Sequence, residues 1–305
     1  MDIRNLFFDR HDEIRPPWRM LIFVTLLTAL SFAILTPLSV LRGAGKFVPL
    51  AGLLLALILA SFLMTRYIHR KPFGAFGLMM HRSTLGEFVL GCGLGLVMMA
   101  GIFLIEYGAG FASVTGRGLT AGAAMGIVAT AAVEFLLAAA IEEVLFRGYV
   151  FQVLIQWLTL LPAMAIMGVL FALAHGFNPG IGFLAYMNIG LVSLTLSLAY
   201  YKTRGLWLPI GVHFGWNFAQ TTVFGFPTSG VSAEALSVFT LTQSGPPWLT
   251  GGGFGPEGGL LATVSIIAGT WFVLKSRFVR TEEGIVTLDS LEDVLGNVEE
   301  PGGTA

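Results

Sequence analysis

The sequence predicts an all-α, polytopic integral membrane protein with about eight transmembrane helices, and three observations carry that prediction. Of 305 residues, 55% are hydrophobic and only 11% are charged. That is too little charge to coat a water-soluble globule, so lipid must cover much of the surface. The apolar residues come in continuous runs near bilayer-crossing length, without the alternation of a barrel strand. Within lipid each segment must satisfy its own backbone hydrogen bonds, which leaves helices.

Taken in order, residues 1–19 set Leu6, Phe7, Phe8 and Trp18 among charges and stop at Pro16-Pro17. That pattern suits a cytosolic segment lying at the membrane interface as well as it suits a flexible tail. Apolar runs near 20–41, 48–68, 86–108, 121–144, 161–176, 182–201, 206–226 and 258–276 read as spans. The fifth is short, and reads as a tilted helix, a continuation of its predecessor or a re-entrant segment. No interior polar linker divides this stretch, so 20–278 is one membrane domain. The connection 227–257 is rich in Gly, Ser, Thr and Pro, lacks Lys and Arg, and reads as a passive connector. Residues 279–305 are acidic and finish near Pro301-Gly302-Gly303, the composition of a cytosolic, partly disordered tail.

With eight crossings and a cytosolic N-terminus, fourteen Lys and Arg fall on cytosolic segments and only Arg42, Lys46 and Arg117 outside. That is the asymmetry of the positive-inside rule, and it places both termini in the cytosol. The short cytosolic segments suggest a bacterial plasma membrane. There is no basic footprint for nucleic acid. The single Cys92 excludes an internal disulfide framework and a cysteine metal site.

Ionisable groups at bilayer depth are costly and need a partner, a hydrated cavity or a function. Three short stretches concentrate them. In Glu142-Glu143-Val144-Leu145-Phe146-Arg147, Glu143 and Arg147 are i,i+4 neighbours able to pair, whereas Glu142 points about a quarter-turn away. Glu143 and Arg147 therefore read as structural support, and Glu142 as the carboxylate free for general-base work. Phe171-Ala-Leu-Ala-His175 closes an apolar helix with an imidazole, and His213-Phe-Gly-Trp-Asn217 sets an imidazole and a carboxamide on one helical face. Singly, each has a structural reading: a charged helix end, a satisfied histidine, or polar groups bonding neighbouring helices. Together they supply a base, two imidazoles and an amide donor from three helices, a set suited to attack of activated water on a carbonyl.

Other hydrolytic schemes lack their residues. No Asp lies between Asp12 and Asp289, and neither Gly-x-Ser-Gly nor His-Glu-x-x-His occurs, which removes paired-aspartate, serine-nucleophile and standard zincin sites. Glu87, Glu106 and Glu134 read as helix-bonding or interfacial groups.

The three motifs, Glu-Glu-x-x-x-Arg, Phe-x-x-x-His and His-x-x-x-Asn in that order, with Phe146-Arg147-Gly148-Tyr149 and Thr203-Arg204-Gly205-Leu206-Trp207-Leu208-Pro209 around them, closely resemble the CAAX-processing and bacteriocin-processing (CPBP) intramembrane proteases, the group of the type II prenyl-protein endopeptidases. The resemblance covers 139–220. It implies an eight-span endopeptidase in which Glu142 and His175 activate water, His213 and Asn217 hold the oxyanion, and Glu143, Arg147 and Phe171 give support. It implies either no cofactor or a single zinc ion on Glu142, His175 and His213, and a membrane-associated or lipidated peptide or protein as substrate. The metal-free form is preferred, because His213 shares its face with Asn217. A non-catalytic immunity protein that binds a peptide, or a proton-linked transporter, are the alternatives from other classes. Simple crossings would put Glu142 and His175 at opposite ends of their spans, so the region 145–176 is expected to depart from a plain crossing, with a kink near Gly148 or a partly embedded segment.

Overall fold

A computed structural model describes residues 4–9, 12–40, 45–282 and 284–288. Arg42 and the acidic tail from Asp289 onward lie outside them. The described chain is helical: α1 (Arg4–Phe7), α2 (Pro16–Ser39), α3 (Phe47–Leu63, continued by a π-turn to Ile68), α4 (Thr84–Gly108), α5 (Ala121–Arg147), α6 (Tyr149–Leu158), α7 (Leu160–Ala174), α8 (Phe183–Thr203), α9 (Trp207–Phe218, continued by a π-turn to Val223), α10 (Pro247–Thr250) and α11 (Leu260–Lys275). Its one ribbon pairs β1 (Ala112–Gly116) with β2 (Phe239–Gln243), antiparallel and in the register Ala112 with Gln243.

Every apolar run expected to cross is a helix. Five helical stretches among the described residues are long and apolar enough to span: Pro16–Ser39, Phe47–Ile68, Thr84–Gly108, Ala121–Leu158 and Phe183–Thr203. Leu160–Ala174 and Leu260–Lys275 are apolar but shorter. The fourth run continues beyond 144 as a 38-residue stretch, broken where Gly148 takes φ −72°, ψ −120°. A Cβ there would lie 2.3 Å from the Val144 carbonyl oxygen, so the break needs glycine. The kink expected near Gly148 is present. Large apolar side chains such as Phe32, Leu85, Met125 and Phe183 stand exposed on helices, as lipid-facing side chains would.

The chain divides into two compact units, Met1–His81 with Ile141–Ala163 and Glu283–Ala305, and Arg82–Ala140 with Met164–Glu282. In the first, Pro16-Pro17 starts α2 at positions where a missing N–H costs nothing. The N-terminal segment folds back on that start: Arg4 forks onto Asp12 at 2.7 and 2.6 Å, and the Trp18 indole donates to the Leu6 carbonyl. The core of this unit gathers Phe23, Ala60, Met64, Tyr149, Val153 and Leu288. Tyr149 stacks on Phe23 at 5.1 Å and hydrogen-bonds His69 at 3.1 Å. Gln152 donates to the Ala75 carbonyl and accepts the Leu288 N–H.

In the second unit α4, α8, α9 and α11 enclose two cores. One is built on Met98, Met99, Ile102, Trp216 and Ile266, the other on Leu196, Ala199, Leu208, Val212 and Val273. The closest packing is between α4 and α9. Cβ atoms at Gly91 and Gly95 would lie 2.5 Å from the Leu208 carbonyl oxygen and 2.4 Å from the Trp216 nitrogen. At Gly211 and Gly215 they would lie 2.3 and 2.4 Å from the carbonyl oxygens of Phe88 and Cys92. Glycines spaced by four on both helices bring backbone against backbone, the association device that lipid favours.

Candidate functional site

The Glu-Glu-x-x-x-Arg segment ends α5 in the first unit. Glu143 and Arg147 pair at 3.2 Å with both side chains fully buried, while Glu142 stays partly exposed. This is the division that helical geometry gives adjacent carboxylates. A buried ion pair is held by its own attraction against a large desolvation cost, so neither member is available for proton traffic without stranding the other.

His175, His213 and Asn217 belong to the second unit. His175 follows the end of α7, and its Nδ1 lies 2.8 Å from the Phe171 carbonyl oxygen. A carbonyl can only accept, so Nδ1 carries hydrogen and the lone pair of the neutral ring sits on Nε2. Phe171, buried to 3% exposure, has its ring 4.8 Å from that of His175 and 6.2 Å, edge-on, from that of His213. The first residue of Phe-x-x-x-His thus supplies a carbonyl that orients one imidazole and a ring that both imidazoles touch. On α9, Gly211 and Gly215 form the face pressed on α4. His213 and Asn217 are each two residues further on, about 200° around the helix, and so project from the opposite face. Both are partly exposed, whereas the glycine face is closed.

One acidic residue of this unit was missed by reading 227–257 as a passive connector. Glu257 accepts hydrogen bonds from the Ser229 N–H at 2.7 Å and the Ser229 hydroxyl at 2.8 Å. Trp216 and His175 are close enough to act electrostatically on the same carboxyl. The backbone carbonyl of Glu257 accepts from Asn188 Nδ2 at 2.8 Å, and the same carboxamide donates to Gly259 O and accepts from the Thr263 hydroxyl. Burial pushes the Glu257 carboxyl up, opposed by the Ser229, His175 and Trp216 interactions. Its sequence signal was faint: an acid inside a glycine run, with no basic residue near it.

The remaining acids differ. Glu106 is fully buried and accepts from Gln243 at 2.7 Å. Glu87, also buried, lines a cavity of about 520 Å³ with Ser83, Arg277, Arg280 and Glu282. Among the described residues no group of three or more His, Cys, Asp or Glu side chains is placed to hold a metal ion.

Residues 124–219 match the family model described as type II CAAX prenyl endopeptidase Rce1-like. That segment is just under a third of the chain and contains all three motifs. No curated protein and no solved structure matches the chain.

Proposed function

We propose that this chain, whose segment 124–219 is that of an Rce1-like CAAX-type intramembrane endopeptidase, hydrolyses peptide bonds of membrane-associated peptides or proteins with water activated by Glu142 and His175. The observation that carries the reading is the pair of imidazoles on Phe171, one with its tautomer set by the Phe171 carbonyl and the other sharing a helical face with Asn217.

In the proposed reaction the Glu142 carboxylate takes a proton from water, which the His175 imidazole orients. The resulting hydroxyl bonds to the carbonyl carbon, and the developing oxyanion accepts hydrogen bonds from His213 and the Asn217 amide. The carbon–nitrogen bond then breaks as Glu142 returns its proton to the leaving nitrogen, giving an acid and an amine. Glu143 and Arg147 hold the end of α5. Zinc suits a Glu and two His by donor type; Glu142, His175 and His213 would be the residues to hold one, and it would supply Lewis-acid polarisation of the water, while the steps above are written for the side chains alone.

The substrate class follows from the setting: a peptide delivered by the bilayer, with a lipidated C-terminal segment as one form of it. The test is cleavage of a labelled membrane-peptide library by the purified protein in nanodiscs, wild type beside Glu142→Ala, His175→Ala and His213→Ala. Loss in each variant is expected. Equal product from all four proteins would reject the catalytic assignment.

A further inference from the structure

The second unit holds a cavity that the proposed reaction does not use. It has a volume of about 520 Å³ and lies where the first turn of α4 meets the chain that follows α11, with Ser83, Glu87, Arg277, Phe278, Arg280 and Glu282 on its walls. That volume is ordinary for a small-ligand site. Its outer wall, residues 276–282, is tied down along its length. The Lys202 ammonium donates to the Val273 and Leu274 carbonyl oxygens at 2.7 and 2.9 Å, capping the end of α11. The Thr281 hydroxyl donates to the Lys202 carbonyl at 2.9 Å, and Val279 is buried in the core with Leu196, Leu208 and Val273. Glu282 then clasps the segment to the start of α4, accepting from the Ser83 hydroxyl at 2.7 Å and from Arg82 at 3.1 Å. A wall fixed in this way is preorganised for a ligand.

The charges of the lining are mixed. Two carboxylates, Glu87 and Glu282, share the cavity with two guanidinium groups, Arg277 and Arg280. Glu87 is 6% exposed, whereas both arginines are exposed, so the cavity is negative at its inner wall and positive at its mouth. A plain anion would meet two acids, and a plain cation two arginines. A group that carries an ammonium beside a phosphate matches both. A trimethylated ammonium has no N–H to donate to a carboxylate and is held instead by aromatic cages. The ring on this wall, Phe278, is already covered by the Arg277 guanidinium, 5.2 Å from its centroid. A primary ammonium is therefore the matching cation.

The surroundings select a lipid as the carrier of that group. α4 is long and apolar enough to span a bilayer, and the cavity lies at its first turn, the level of the headgroups. From there Phe278 leads onto an exposed apolar stripe of α11 formed by Leu274, Trp271, Ile267 and Val264, which recur every three or four residues and so share one face. A soluble zwitterion would leave that stripe unused, whereas acyl chains can lie along it.

We propose that this cavity binds the headgroup of phosphatidylethanolamine: the ammonium donates to Glu87, the phosphate accepts from Arg277 and Arg280, and the acyl chains follow the stripe on α11. No part of this binding depends on the reaction proposed above.

The test uses the full chain in a neutral detergent, titrated with phosphatidylethanolamine, phosphatidylcholine, phosphatidylglycerol or the chain-free glycerophosphoethanolamine, with bound molecules counted by native mass spectrometry. Phosphatidylethanolamine should bind about tenfold more tightly than either other lipid, the worth of one hydrogen bond to a charged group. Glu87→Gln should lower phosphatidylethanolamine to the phosphatidylcholine level and leave phosphatidylcholine unchanged. Arg277→Gln/Arg280→Gln should weaken both, since both carry the phosphate. Those arginines are exposed, so the second variant is expected to fold and decides the matter even where the buried Glu87 does not tolerate replacement. Equal occupancy by the three lipids, tighter binding of phosphatidylglycerol, or unchanged phosphatidylethanolamine binding in the arginine variant would overturn the proposal. Glycerophosphoethanolamine bound as tightly as the whole lipid would overturn the lipid assignment in favour of a soluble phosphoethanolamine ligand.

Discussion

The glycine notch between α4 and α9 makes a quantitative prediction. Replacing Gly215 by Ala puts a Cβ 2.4 Å from the Cys92 carbonyl oxygen and 2.7 Å from its Cα, where ordinary contact begins at 3.4 Å. Both obstacles are backbone, so no rotamer relieves the clash, and α9 must retreat by about 1 Å. The face that retreats carries His213 and Asn217 on its far side, two residues either way from the new methyl group. A displacement of about 1 Å at oxyanion donors corresponds to a loss of about 10²-fold in rate, or about 2.7 kcal/mol of barrier. Overpacking adds about 1–3 kcal/mol of destabilisation. Gly93→Ala is the matched control. It lies on the same helix as Gly91 and Gly95, nothing lies within 4 Å of its added Cβ, and alanine is favoured over glycine in a helix interior by up to about 1 kcal/mol. Peptide cleavage in nanodiscs and thermal unfolding followed by circular dichroism should show Gly215→Ala folded, less stable and about a hundred times slower, with Gly93→Ala at least as stable as wild type and fully active. A Gly215→Ala protein that cleaves at the wild-type rate would show that the fit of α9 on α4 does not aim the polar face.

Further outcomes test other links. Arg147→Met leaves the Glu143 carboxylate buried without its cation and should cost about 3–5 kcal/mol of stability, while Glu143→Leu/Arg147→Met together should recover much of it in the same melting experiment. Asn217→Ala should lower kcat by about 10²–10³-fold with KM nearly constant, the behaviour of a lost oxyanion donor. Dialysis against a chelator should leave cleavage intact; loss of activity restored by zinc would replace the side-chain mechanism with a metal one. Hydrogen bonds from Ser83 and Arg82 lower the Glu282 carboxyl below its usual 4.5. A depressed carboxylate contributes above its unfolded value and loses that contribution as pH falls through its folded one. Amide exchange over Ser83–Glu87 should therefore accelerate in acid relative to Glu282→Gln, and a constant ratio across pH would contradict the contact.

Much of this was legible because lipid imposes local rules. Apolar runs become helices wherever the backbone must satisfy itself, so the eight segments were readable one by one. The pairing of Glu143 with Arg147, with Glu142 on another side of the helix, followed from an angle of about 100° per residue, and the break at Gly148 from the demand that a plain crossing be interrupted. Glu257 was not readable, because nothing near it in sequence explains it. Its partners Asn188 and Ser229 come from a helix and a turn far from it in sequence, and a stretch of Gly, Ser, Thr and Pro carries no periodicity to orient an acid. The pairing of α4 with α9 had a usable signal in Gly91-x-x-x-Gly95 and Gly211-x-x-x-Gly215. A small-residue spacing names a face, however, without naming which helix meets it. The ribbon β1–β2 escaped because strands of five residues separated by more than a hundred positions leave no local mark.

Leu288 bears on how the protein is made. The core around Phe23 and Tyr149 is completed by a side chain that lies far downstream of both in the chain, and the same residue satisfies Gln152. During synthesis the helices that build the rest of that core leave the ribosome first and must wait, with the Tyr149 and Val153 surface uncovered, until the segment that carries Leu288 supplies its cover. A nascent chain of this kind depends on the translocon or on lipid to shelter that surface, and a ribosome stalled before codon 288 would release a product that is inserted but unfinished.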